Sequence, residues 1–137
     1  MKDSVLEFRK IIESAPILYM LVFLLFFSLL LFLRRRAIVR SSGGPFFAPF
    51  HINRGVFYIH VSLCFSRRMI PLKEIKQITY AIFRGRSGGG SRYAFYIELR
   101  NGKTTPFFFG KSKRNEELVN KLKQNAGKYG FKVHFQR

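Results

Sequence analysis

The sequence predicts one N-terminal transmembrane α-helix followed by a single small α+β domain, in which antiparallel strands are closed by a C-terminal helix. Three observations predict it. An uncharged apolar run extends from Ala15 to Leu33, two-residue alternation of apolar side chains recurs from Val56 onward, and one amphipathic stretch follows Ser112.

The apolar run is 19 residues long and is followed at once by Arg34, Arg35 and Arg36. As a helix it reaches roughly 28 Å, close to the ~30 Å hydrocarbon core of a bilayer, and it satisfies every backbone donor and acceptor internally, as lipid requires. Pro16 is expected in the first turn, where its missing N–H costs nothing. The run exceeds the apolar core of a signal peptide and meets arginines where a small-residue cleavage site would stand. A buried helix this apolar would need a larger soluble core than 137 residues readily provide. A retained anchor is therefore expected. Lys2, Arg9 and Lys10 precede it, whereas Arg34, Arg35, Arg36 and Arg40 follow it in a denser cluster, so the C-terminal side is expected in the cytoplasm at the inner membrane.

Residues 34–137 hold 22 of the 25 Lys and Arg residues and only four acids, Glu74, Glu98, Glu116 and Glu117, so this part carries the whole net charge of +18. Such a region is drawn to polyanions, either the anionic inner leaflet or nucleic acid. The single cysteine, Cys64, can form no internal disulfide, in keeping with a reducing compartment. The 17 Phe residues are shared between anchor and tail and read as packing material.

Residues 1–14 form a rough helical stripe, either an interfacial segment on the extracytoplasmic side or a frayed terminus. Residues 34–45 are read as a basic juxtamembrane linker, with Ser41-Ser42-Gly43-Gly44-Pro45 as its flexible part, and residues 46–137 as the domain. Phe46 to Ile52, broken by Pro49, is expected to pack along the domain edge or dip into the headgroups. Val56 to Val61 reads as a strand that continues through Leu63 to Phe65, and Pro71 as the start of one short helical turn. Lys76 to Phe83 follows as a strand with Ile78, Tyr80 and Ile82 on one face. Arg84 to Arg92, RGRSGGGSR, must be a loop. In the next strand Tyr93, Phe95, Ile97 and Leu99 point one way, and Asn101-Gly102 predicts a two-residue hairpin turn leading back through Lys103 to Phe109. Ser112 can cap the helix, Leu118, Val119 and Leu122 form its buried stripe, and Gly127 is the expected terminator. Phe131, Val133 and Phe135 suggest a last strand.

This order, with RRMIPLKEIKQI (Arg67 to Ile78), YAFYIELRNGK (Tyr93 to Lys103) and SKRNEELVNKLKQ (Ser112 to Gln124), resembles the pleckstrin-homology-like (PH-like) domains of small bacterial membrane proteins. The resemblance covers about residues 50–135 and implies an antiparallel β sandwich or barrel plugged by the helix. Relatives in the wider superfamily often bind phosphoinositides through a basic loop between the first two strands. Here that junction, near His60 to Leu63, has no Lys or Arg, so inositol-phosphate specificity does not carry over.

Nothing in the chain spells catalysis. The acids are scattered, His51, His60 and His134 lack metal-ligand spacing, and Cys64 reads as a small buried hydrophobe in a strand. TPFFFGKS (Thr105 to Ser112) ends like a phosphate-binding loop but has Thr105 where that motif needs glycine. No enzyme, cofactor or metal is expected. The expected function is a membrane-anchored binding or scaffold module, an accessory subunit of a membrane complex or a homo-oligomer. Arg34, Arg35, Arg36, Arg40, Arg84, Arg86 and Arg92 are its expected contacts to anionic headgroups. The alternative is a membrane-tethered nucleic-acid binder, disfavoured because the alternating strands should use their aromatics on a buried face.

Overall fold

A computed structural model describes residues 2–62, 64, 66–86 and 89–137. Ser87 and Gly88 of the glycine loop, and Leu63 and Phe65 of the expected strand extension, lie outside the described residues. The chain divides into two compact units, Met1–Arg34 and Arg35–Arg137.

The first unit is helical. Helix α1 runs Lys2–Ser42, and no described side chain in its first unit is buried. It is long and apolar enough to cross a membrane, the pattern of an anchor or a signal sequence. Residues 2–14 continue directly into the apolar run, so Pro16 lies inside the helix instead of at its start. There it removes the bond that an amide would make to the Ile12 carbonyl. The expected linker is also mostly helix, because α1 persists to Ser42 and ends at Gly43, whose φ is +69°.

In the second unit, β1 (Phe50–Asn53), β2 (Val56–Ile59) and β3 (Met69–Pro71) form an antiparallel sheet in that order. β1 arises where the sequence suggested a broken apolar edge. Arg54 and Gly55, at φ +49° and +73°, make the tight turn that lays Phe50 opposite Ile59. A 3₁₀ turn at Leu72–Glu74, capped by Pro71, leads into the second sheet, as the sequence suggested. That sheet comprises β4 (Ile75–Phe83), β5 (Arg92–Leu99), β6 (Thr104–Gly110) and β7 (Lys132–Phe135), ordered β6-β5-β4-β7. The sheets do not close into a barrel, and β7 pairs with β4 in parallel, so the expected purely antiparallel arrangement is corrected. A parallel neighbour needs a crossover, and α2 (Lys113–Tyr129) supplies it.

The core lies between the sheets and α2. Phe50, Phe57, Phe95, Phe107 and Phe109 are mutually packed there, with Phe95 and Phe109 centroids 4.9 Å apart in an edge-to-face pair. Tyr93, Phe95, Ile97 and Leu99 all point inward, and Val119, Leu122 and Ala126 of α2 close over them. Ser112 caps α2 by accepting the Asn115 amide at 3.2 Å. The terminator is Gly130 at φ +81°, not Gly127, which lies within the last turn. The β5–β6 turn is also one residue longer than expected. The Gly102 amide donates to the Leu99 carbonyl and the Leu99 amide to the Lys103 carbonyl, so only Gly102 needs positive φ. The Thr105 to Gly110 part of the near-miss phosphate motif lies in strand β6.

Candidate functional site

The seven arginines singled out in the sequence fall into two settings. Arg34 closes the first unit. Arg35, Arg36 and Arg40 lie on the last turns of α1 within the second unit, where Arg36 and Arg40 are exposed. Arg35 is half-buried: its Nε donates to the Phe46 carbonyl at 3.0 Å and its guanidinium lies 5.2 Å from the Phe46 ring. One of its faces is thus committed to holding the turn that follows α1.

Arg84, Arg86 and Arg92 are brought to one end of the four-stranded sheet, all exposed. Arg92 opens β5 directly opposite Phe83 on β4 and Gly110 on β6, and the Lys111 amide ties this end to the Ser91 carbonyl at 2.9 Å. The strand alternation that buries Tyr93 and Phe95 turns Arg92, Ala94 and Tyr96 to the opposite face, where Arg92 is exposed, Tyr96 half-buried and Ala94 buried. On that face Phe108 of β6 is 53% exposed and Phe83 of β4 54%. Tyr96 and Phe108 meet edge-to-face at 6.5 Å. The alternation in the sequence also put Ala94, Tyr96, Glu98 and Arg100 on the other face of this strand, but the outward Phe83 and Phe108 beside it were not singled out. The signal was present: in FFF (Phe107 to Phe109) the outer two rings point inward, so the middle one must point out.

A third feature ties the end of α1 to the domain. His60 and Ser42 both have 0% exposure, and Ser42 Oγ lies 2.7 Å from His60 Nε2. His60 Nδ1 donates to the Ala48 carbonyl at 2.9 Å, which fixes the tautomer and leaves Nε2 as acceptor for the Ser42 hydroxyl. The Gly44 amide donates to Ser42 Oγ at 3.1 Å and Asn53 Nδ2 to the Ser42 carbonyl at 2.9 Å. Burial, together with neighbouring His51, Arg35 and Arg68, pushes the His60 pKa down from 6.5 to about 4 against the opposing Ala48 bond. The imidazole is therefore neutral near pH 7. A Ser–His pair sealed from solvent reaches no substrate, so its chemistry is structural.

Between the β1 edge and α2 runs a groove of ≈ 320 Å³, floored by Phe50, Ile52 and Leu122 and rimmed by His51, Lys121 and Asn125. Among the described residues no three His, Cys, Asp or Glu side chains are placed to hold a metal ion. Cys64 is buried as expected but lies in no strand. No family model matches the chain, and no curated protein or solved structure shows significant similarity to it.

Proposed function

We propose that the protein is a membrane-anchored binding module, an accessory or scaffold subunit of a membrane protein complex. It is a single-pass inner-membrane protein with its N-terminus outside and the Arg35–Arg137 unit in the cytoplasm. Anionic headgroups steady that unit through Arg34, Arg35, Arg36, Arg40, Arg84, Arg86 and Arg92. One observation carries the reading: the uncharged run of α1 passes, within the same helix, into an arginine cluster and then into a unit holding nearly all the basic residues. Near an anionic leaflet each such cation contributes on the order of 1 kcal/mol. The meander of strands followed by a packed helix supports the PH-like assignment, and the groove beside the unpaired β1 edge is the surface best suited to a protein partner.

Affinity purification of the full chain after extraction in several mild detergents tests the scaffold role. A reproducible membrane-protein partner or a second copy supports it, and recovery of a lone chain in every detergent refutes it. Native mass spectrometry of the same preparation tests the lipid role. Phosphatidylglycerol should be retained over phosphatidylcholine, and neutralising Arg84, Arg86 and Arg92 together to Gln should reduce that retention.

A further inference from the structure

We propose that the solvent face of the four-stranded sheet binds single-stranded nucleic acid, with bases stacking on Tyr96, Phe108 and Phe83 and phosphates held by Arg92 and its basic neighbours. This goes beyond the scaffold reading and does not depend on it. The expectation against nucleic acid was that the strand aromatics would all be buried. That holds for Tyr93, Phe95, Phe107 and Phe109 but fails for the outward row.

The face has two properties that base stacking requires. Phe83 and Phe108 are exposed, and the half-buried Tyr96 braces Phe108 edge-to-face. Phe83 and Phe108 stand on strands separated by β5, about 12 Å apart by sheet geometry, which spreads the rings along a strip instead of gathering them at a protruding tip. A lipid-inserting surface would favour the tip, whereas a chain of stacked bases needs the strip.

Charge complements the rings. Arg92 lies on the face itself between Phe83 and Gly110, Arg84, Arg86 and Lys111 are exposed at the same end, and Lys132 and His134 of β7 flank the opposite edge. The one acid on this side, Glu98, is already held by Gln77 and by Lys76 at 3.2 Å. A duplex could meet the cations but would keep its bases stacked inside, away from the rings.

Fluorescence anisotropy of the full chain in a neutral detergent, with a fluorescein-labelled 12-nucleotide single strand and the matching duplex, tests the proposal. The single strand should bind at least tenfold tighter than the duplex, with affinity falling as salt rises. Tyr96→Ala and Phe108→Ala should each weaken single-strand binding five- to fiftyfold, and Phe108→Leu nearly as much, because leucine keeps apolar area without a π face. Arg92→Gln should lower the salt slope by about one. Circular dichroism melts confirm that each exposed-site variant stays folded. Absence of binding, equal affinity for duplex and single strand, or ring variants that bind as the wild type would overturn the proposal. So would ring variants that lose only phosphatidylglycerol retention, with Phe108→Leu restoring it, since that pattern marks a membrane-dipping face.

Discussion

Acidification should loosen the second unit well before its carboxylates are protonated, because His60 is buried in its neutral form. In the folded chain its pKa lies at about 4, against 6.5 when solvated. The unfolded chain therefore binds the proton first as pH falls. The stability held above pH 6.5 is lost progressively down to pH 4 and then levels off. A shift of that size corresponds to about 3 kcal/mol in total, of which about 2 kcal/mol falls between pH 7 and pH 5. For a domain near 100 residues that is a drop in Tm of about 10 °C. Protonated Nε2 could still donate to Ser42, which would turn its hydroxyl to the Val39 carbonyl 2.9 Å away, but the charge would remain beside Arg35 and Arg68. Glu98, whose pKa is lowered by Gln77 and Lys76, contributes stability that is lost as pH falls from the usual carboxylate value down through its lower folded one, below the pH 7 to 5 interval of the melts. Thermal melts at pH 7 and pH 5 by circular dichroism provide the measurement. His60→Asn keeps a donor for Ala48 and cannot titrate in this range, so it should be less stable at pH 7 yet nearly flat between the two pH values. A wild-type melt that does not move, or an Asn variant that moves as much as the wild type, would refute the reasoning.

Other outcomes follow from packing and charge. Leu122→Ala, at a side chain 3% exposed, should cost ~2–5 kcal/mol and make the unit protease-sensitive, whereas Lys121→Ala on the exposed side should leave the melt unchanged. Ser112→Ala removes the acceptor for the Asn115 amide and should cost about 1 kcal/mol in a chemical denaturation series. Replacing Arg34, Arg35 and Arg36 with Gln should scramble insertion, read by a periplasm-active reporter fused after Arg137 that is silent on the native chain. A strong signal from the native fusion would reverse the proposed orientation.

The features legible in the sequence are those whose cause is local. Residues 15–33 must be helical wherever they reside, because no other backbone satisfies itself among apolar surroundings. Tyr93 to Leu99 alternates so strictly that its inward row was certain once one face was buried, and Ser112 caps α2 through a bond three residues long. Periodicity states which side chains share a face, but it does not state which face another segment will cover. Tertiary structure therefore decided the rest. β1 exists because β2 is there to pair with it, and α1 runs on to Ser42 because His60, eighteen residues away, receives its last turn in a sealed pocket. β7 joins β4 in parallel because α2 carries the chain back across the sheet, and Gly130 ends α2 only after Ala126 has found the core. Phe83 and Phe108 of the outward row stay exposed, with Tyr96 half-buried beside them, because α2 packs on the other side, a fact that depends on the whole fold and on no single stretch of it.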